Sequence, residues 1–347
     1  MRQLKSASFL RAAARSLVGA SVISALYVVL AMSSATAEDA QQTPKSKEQV
    51  EKLVGLFHQH FDGAHSLTER RTAFRKLMDA APEPSRVQIR HIDADGVEGE
   101  MLWPARLHYP IGTRAILYIH GGGFYSGSPE THRAIAGSLA KAASADVFLI
   151  DYRLMPDYVY PTQIDDALTV FRWLLQSGYR SENIVIVGDA AGGNIALEAT
   201  LRQMRAMRPL PAGVVAMSPL TDLAETGNSM KENANSDPVV GKPQLEAVRK
   251  AYLGKMSPTD PDASPLYADL KGFPPLLLQV GSRETLLDDT LRFAAKAREA
   301  GVDVTSEVWP GMIHQWQLFP FWLDDARRSN QRIAEFAMKH FADQPQE

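Results

Sequence analysis

Four separate stretches of the chain carry residue types that could perform acyl transfer together. Residues 120–124 read HGGGF and residues 188–194 read GDAAGGN, while an acid, Glu284, and a histidine, His314, follow later in the chain. A glycine loop can offer backbone N–H groups to an oxyanion, and a histidine oriented by an acid can serve as a general base. What this set lacks is a nucleophile.

The stretch around position 190 has the form of a nucleophile turn without its nucleophile. Residues 184–187 are all β-branched and lead into Gly188, and an alanine-rich helical segment follows, so a strand, a tight turn and a helix are predicted. The turn would fit the pattern G-x-S-x-G, but its central residue is Ala190. Because alanine has no hydroxyl group, no acyl-enzyme can form there, and losing the nucleophile costs a serine hydrolase about 10⁶ in turnover.

The elements that must position these stretches alternate between strand and helix. Short runs rich in Ile, Val and Leu are typical of strands buried on both faces of a parallel sheet that helices cover. The carboxyl ends of such strands share one edge, and each of the four stretches follows a strand there. The predicted strands are 115–119, 147–152, 184–187, 213–217, 276–280 and 304–308, and the predicted helices are 131–143, 162–176, 193–207, 243–252, 288–300 and 321–341.

These motifs, together with DYRLMP at 151–156, make the chain resemble the bacterial hormone-sensitive-lipase-like carboxylesterases over residues 85–345. The resemblance implies an α/β-hydrolase fold with a mostly parallel sheet over residues 86–347. It also implies that residues 38–85, which show two helical patterns, contain a cap over the pocket. The implied activity is hydrolysis of short- to medium-chain acyl or aryl esters.

The resemblance assigns a role to the glycine loop. Gly121, Gly122 and Gly123 would let the backbone approach the substrate closely, and the N–H groups of Gly122 and Gly123 would be the main donors to the oxyanion. The third donor would be the N–H of Ala191, which begins a helix and lies at the positive end of its dipole.

The resemblance also assigns the acid and the base. His314 would be the general base, and Glu284 would orient it at a position where the family more often has aspartate. Asp288 lies one helical turn further on and competes for the same role.

Two further sets of residues have predicted roles. Asp151, Arg153 and Asp165 would form a buried ion network that supports loops. Five aromatic residues would line the acyl or alcohol pocket, although packing in the core would explain each of them as well; these are Phe124, Tyr125, Trp316, Phe319 and Trp322.

Composition and charge narrow the function class and the location. The 347 residues hold 37 basic and 40 acidic side chains, with a net charge of −3 and no cysteine. Nothing resembles a basic surface for nucleic acid, and no thiolate chemistry is possible. Residues 1–37 have a basic start, an apolar run and small residues before Glu38, which predicts a cleavable signal peptide and export. Removal of this signal peptide would leave no stretch able to span a membrane.

The motifs indicate no cofactor and no metal. Gly121 and Gly123 follow a strand as in a dinucleotide-binding loop, but Ser126 stands in place of the third glycine, and neither a Walker A nor an HExxH motif is present. The expected partner is therefore a small-molecule ester, and the family resemblance implies a homodimer.

Two hypotheses account for Ala190. In one, the chain is an esterase that a deliberate Ser→Ala change has disabled. In the other, it is a natural pseudoenzyme that binds a small ligand in the esterase pocket. A long-standing pseudoenzyme would have no reason to keep the turn, the acid and the base together, which favours the first hypothesis.

Overall fold

A single β-sheet forms the centre of the protein. The computed structural model describes residues 42–106 and 113–342, and eight strands in this part of the chain form one sheet. They are β1 (Val87–Ala94), β2 (Val97–Pro104), β3 (Ala115–Ile119), β4 (Asp146–Ile150), β5 (Ile184–Asp189), β6 (Gly213–Met217), β7 (Leu276–Gly281) and β8 (Val304–Trp309). Their order across the sheet is β1-β2-β4-β3-β5-β6-β7-β8, with β2 antiparallel to both of its neighbours and the rest parallel.

Helices accompany the strands as the alternation predicted. They are α1 (Pro44–Phe61), α2 (Leu67–Met78), α3 (Pro129–Ala143), α4 (Thr162–Gln176), α5 (Ala191–Arg205), α6 (Ser229–Glu232), α7 (Lys242–Leu253), α8 (Leu287–Glu299) and α9 (Asp324–His340). Twelve of the fifteen residues of α5 are buried, so this helix lies in the interior, directly behind the turn that contains position 190.

The predicted elements agree closely with the observed ones. The bounds of β3, β6 and α4 are those predicted, and the other predicted ends differ by at most three residues. The earlier start of α5, at Ala191, follows from the turn itself, because the chain enters the helix without an intervening loop. The prediction of a mostly parallel, helix-covered sheet is confirmed.

The two N-terminal helices begin and end at clear local signals. Thr43 accepts a hydrogen bond from the backbone of Ser46 at the start of α1, and Ser66 and Glu69 form a reciprocal capping box at the start of α2. The buried face of α1 includes Phe57, whose ring lies 6.0 Å from that of Phe319. Aromatic packing therefore attaches these helices to the sheet domain.

The predicted signal peptide, residues 1–37, lies outside the described residues. Within the described ranges, no helix has the length and apolar character needed to cross a membrane.

The predicted ion network of Asp151, Arg153 and Asp165 is wrong. Arg153 pairs with the buried Asp166, whereas Asp165 is exposed and pairs with Arg202, and Asp151 is exposed. Successive residues of a helix point about 100° apart, so only one of the two adjacent aspartates on α4 can face Arg153.

Glu198 gives the fold a pH dependence that can be measured. Its carboxylate is buried on α5, neither oxygen has a hydrogen-bond partner in the described chain, and Arg205 lies 3.7 Å away. Burial raises the pKa of Glu198 to about 8. Because the folded state holds this proton more tightly than the unfolded state, the stability that Glu198 contributes falls from about pH 4.5 and is lost above pH 8.

We expect Glu198→Gln to remove this dependence. Relative to the parent, the variant should gain free energy of unfolding between pH 5 and pH 9, on the order of a few kcal/mol. Urea unfolding at pH 5, 7 and 9 measures the gain, and Glu299→Gln on the exposed end of α8 is the matched control. A constant difference between variant and parent across these pH values would contradict the assignment.

Candidate active site

The turn between β5 and α5 holds its central residue in a strained backbone conformation. Ala190 has φ +50° and ψ −113°, a region that L-residues rarely occupy. Its N–H donates to the carbonyl of Met217 at 2.8 Å. Gly192 lets α5 pack against the neighbouring strand, because a Cβ there would lie 2.0 Å from the carbonyl oxygen of Ile119. The side chain of residue 190 is therefore fixed at the edge of the sheet and lines a pocket.

The glycine loop after β3 faces the same pocket. Gly122 and Gly123 both have positive φ, +109° and +63°. In the described chain, no hydrogen bond uses the N–H of Gly122, Gly123 or Ala191, whereas the N–H of Ala190 is engaged. Since these three residues all line the pocket, their amides are available to an oxygen bound there.

Asp189 holds this loop in place, a role that sequence reasoning missed. Its buried carboxylate accepts hydrogen bonds from the N–H of Gly121 at 2.9 Å, the hydroxyl of Tyr118 at 3.0 Å and the side-chain amide of Gln315 at 2.9 Å. A Cβ at Gly121 would lie 2.1 Å from this carboxylate, which explains the first glycine of the loop. Burial alone would raise the pKa of Asp189, but His132 and these donors outweigh it and lower the pKa.

His120 supports the loop from behind. Its Nδ1 lies 2.8 Å from the carbonyl oxygen of Gly121, and its ring stacks on Tyr152 with the centroids 4.2 Å apart. Burial and the nearby His132 lower the pKa of His120 to about 3, so its ring is neutral at physiological pH. A buried neutral imidazole of this kind packs and does not exchange protons with the pocket.

The predicted base and acid are in contact. Nδ1 of His314 lies 2.9 Å from Oε2 of Glu284, and both side chains are buried. The other carboxylate oxygen of Glu284 accepts a hydrogen bond from the hydroxyl of Ser218 at 2.8 Å, so the carboxylate cannot rotate freely. Asp288 instead accepts from the backbone N–H groups of Asn228 and Ser229 and does not reach His314. The geometry therefore favours Glu284 over Asp288 as the orienting acid.

The electrostatics of this pair suit a base. Burial by itself would lower the pKa of His314, but the hydrogen bond and the negative charge of Glu284 outweigh it and raise the pKa above its ordinary value. A carboxylate on Nδ1 also fixes the tautomer, leaving Nε2 as the atom that accepts a proton.

The pocket lies between the sheet edge and the N-terminal helices. Its volume is about 60 Å³, room for a few groups of the size of water. Phe61 of α1 and Arg70 of α2 line it, so both N-terminal helices contribute to the pocket wall, and they are called the cap below. The remaining wall is mostly apolar; apart from the residues already described, it comprises Phe74, Tyr125, Ser126, Leu220, Val239, Val240, Gln244, Leu245, Val248 and Leu286.

Four of the five aromatic residues expected in the pocket lie elsewhere. Phe124 stacks on Tyr252 with the ring centroids 3.9 Å apart, and Trp316 and Phe319 are buried against other aromatic rings. Trp322 packs at the edge of the core, and Tyr125 alone reaches the pocket. Phe124 and Tyr125 are neighbours in a turn where Phe124 has φ +65°; Phe124 faces the core, and Tyr125 faces the pocket.

Known proteins share both this sequence and this architecture. Residues 116–318 match the family described as alpha/beta hydrolase fold. An esterase of Acinetobacter venetianus is 39% identical over 76% of this chain and 88% of its own. An acetyl-hydrolase of Streptomyces hygroscopicus is 36% identical over 75% of this chain and 86% of its own. The crystal structure of an esterase from the bacterial hormone-sensitive lipase family is 35% identical, with a TM-score of 0.82, over 85% of this chain and 99% of that one.

The chain belongs to the bacterial hormone-sensitive lipase family of α/β-hydrolase esterases. Its glycine loop, strained turn, acid and base lie after β3, β5, β7 and β8 of the α/β-hydrolase sheet. In the described part of the chain, no three His, Asp or Glu side chains are grouped so that they could hold a metal ion.

The strain at position 190 predicts a gain in stability on substitution with glycine. Ala190→Gly should raise the free energy of unfolding by about 1 kcal/mol, because relief of a strained φ exceeds the entropy that glycine loses on folding. Urea unfolding measures the change. Ala199→Gly, in the middle of the buried helix α5 that follows the turn, is the control and should destabilise by about 1 kcal/mol or more. If Ala190→Gly is no more stable than the parent, the turn is not strained.

The pairing of His314 with Glu284 is testable without catalysis. Glu284→Gln should lower the pKa of His314, because the negative charge that stabilises the imidazolium is lost. NMR titration of the imidazole signals measures the shift, and Asp288→Asn is the matched control that should leave the pKa unchanged. A shift in the Asp288 variant, with none in the Glu284 variant, would transfer the role to Asp288. If the glutamine variant does not fold, the same titration is made on Glu284→Asp.

Proposed function

We propose that this chain is a carboxylic ester hydrolase in which Ala190 replaces the nucleophilic serine, so that it binds short- to medium-chain acyl or aryl esters but does not form an acyl-enzyme. One observation carries the proposal. The chain keeps the groups that a catalytic serine at position 190 would need. His314 and Glu284 are in contact at 2.9 Å, and a strained turn and three free amides line the same pocket.

The roles follow from the geometry once a hydroxyl stands at position 190. Nε2 of His314 would take the hydroxyl proton as the oxygen attacks the ester carbonyl, and Glu284 would stabilise the resulting imidazolium. The tetrahedral oxyanion would accept hydrogen bonds from Gly122, Gly123 and Ala191. His314 would then return the proton to the leaving alcohol, and water would hydrolyse the acyl-enzyme by the same steps.

The alanine is an isolated loss, and this supports a deliberate Ser→Ala substitution in an otherwise complete esterase. The glycines that permit the turn, the buried Asp189 under the glycine loop and the pair of His314 with Glu284 all remain. A long-standing pseudoenzyme would have no catalytic reason to keep a backbone conformation that costs about 1–3 kcal/mol. A natural ligand-binding pseudoenzyme is the alternative, in which the same pocket would serve recognition only.

Restoring the hydroxyl tests the proposal directly. Ala190→Ser should raise kcat/KM for a panel of short aryl and alkyl esters by about 10⁴-fold or more over the parent chain. Initial rates with p-nitrophenyl acetate, butyrate and octanoate measure the gain. Ala190→Ser combined with Glu284→Gln should lose most of it, while Ala190→Ser combined with Asp288→Asn should retain it.

The outcomes separate the hypotheses. A gain of the expected size supports a disabled esterase, whereas binding of esters with no turnover in the Ala190→Ser chain would support the pseudoenzyme. Neither binding nor turnover of any ester would overturn the proposal.

Location and assembly complete the proposal. The basic and apolar character of residues 1–37 supports export by a cleaved signal peptide, so that the mature protein meets extracellular or periplasmic esters. A homodimer is supported by β8, which ends the sheet order and exposes Val308 to 41%.

A further inference from the structure

The cap side of the pocket contains one charged side chain, Arg70. It projects from α2 and lines the pocket beside Phe61 and Phe74, while Ala190 and His314 line it from the sheet side. The other lining residues of the cap and of α7 are apolar or neutral. A ligand that reaches from the turn to the cap would therefore meet one guanidinium group.

Arg70 has no ionic partner in the described residues. One of its terminal nitrogens, Nη2, donates to the carbonyl oxygen of Val239 at 2.9 Å, and the guanidinium lies 5.1 Å from the ring centroid of Phe61. Its Nε is shielded from solvent and has no acceptor. A buried N–H without an acceptor is unfavourable, and the positive charge of this partly exposed side chain has no counter-charge in the described residues. The side chain is thus held at the pocket with donor capacity that the protein leaves unused.

Neighbouring arginines on the same helix behave differently. Arg71 uses both Nε and Nη2 to donate to backbone carbonyls, those of Tyr125 and Met155, so it attaches the cap to the loop beside the glycine motif. Arg75 is exposed to solvent. The free donor of Arg70 is therefore not a general property of α2.

The chemistry of the free donor selects its ligand. The guanidinium is planar and positively charged, and of its two terminal nitrogens only Nη2 has a protein acceptor in the described chain, so it can still donate to a carboxylate. Two other polar side chains of the lining, Gln244 and Tyr125, are hydrogen-bonded to each other at 3.0 Å, and neither carries a charge. The pocket between the turn and Arg70 is small, about 60 Å³, which favours a short spacer between the ester group and the carboxylate.

We propose that the pocket recognises monoesters of small dicarboxylic acids, which have one ester group and one free carboxylate. Arg70 is the residue that pairs with this carboxylate. The inference rests on the proposed function for the ester group but adds the substrate class. Arg70 would determine specificity without taking part in the chemical step.

Binding to the chain as it stands tests the proposal, because an ester bound beside Ala190 should not be consumed. Isothermal titration with monoethyl succinate and with neutral ethyl butyrate compares a charged ester with an uncharged one of similar size. We expect Arg70→Gln to weaken binding of monoethyl succinate by about tenfold or more and to change binding of ethyl butyrate by less than about twofold. Arg75→Gln is the matched control and should change neither.

Further readouts separate recognition from a structural role. Arg70→Lys should recover part of the lost affinity for monoethyl succinate, since it restores the charge without the planar group, and it also serves if the glutamine variant does not fold. An equal loss of affinity for both esters in Arg70→Gln would mean that Arg70 only holds the segment around Val239, which would overturn the proposal. Equal affinity of the parent for both esters would overturn it as well.

Turnover distinguishes this inference from the proposed function. If Ala190→Ser hydrolyses neutral esters but shows no preference for p-nitrophenyl hydrogen succinate over p-nitrophenyl butyrate, the inference fails and the esterase function stands. If Ala190→Ser hydrolyses nothing while Arg70→Gln still selectively weakens binding of the charged ester, the esterase function fails and carboxylate recognition by Arg70 stands.

Discussion

The buried carboxylate of Asp189 connects segments of the site that are far apart in the sequence. It ends β5, next to the turn, yet its hydrogen bonds reach the start of the glycine loop at Gly121, the end of β3 at Tyr118 and the segment after β8 at Gln315. A charge without solvent is costly unless several donors surround it, so these three segments must adopt one arrangement for the protein to fold. The position of the free amides relative to His314 follows from this requirement.

Much of this molecule could be predicted from its sequence, for identifiable reasons. The strands are short β-branched runs in a sheet buried on both faces, and such runs leave little ambiguity about where β3 or β6 begins. His314 and Glu284 could be found because each follows a strand at the edge where the site must form. The preference for Glu284 over Asp288 came from the resemblance to a family.

The failures of prediction concern side chains whose partners are distant in sequence. Asp165 rather than Asp166 seemed the partner of Arg153, although the phase of α4 decides between them. The role of Asp189 depends on donors from three other segments, and Arg70 reaches the pocket only because the cap packs over it. Periodicity describes which face a residue occupies, but it contains no information on what that face meets.

The attachment of α2 by Arg71 has a consequence for how such a protein can diversify. The wall that would carry out chemistry comes from strand ends and from α5, where nearly every residue is buried and even a methyl group at Gly192 has no room. The opposite wall comes from the cap and α7, whose helices each contribute one to three side chains to the pocket. Arg71 holds α2 in place by hydrogen bonds to backbone carbonyls. Substitutions on this wall can alter which ligands fit without disturbing the reacting groups. New ligand preferences are therefore expected to arise in the cap and α7, while the catalytic wall stays nearly constant.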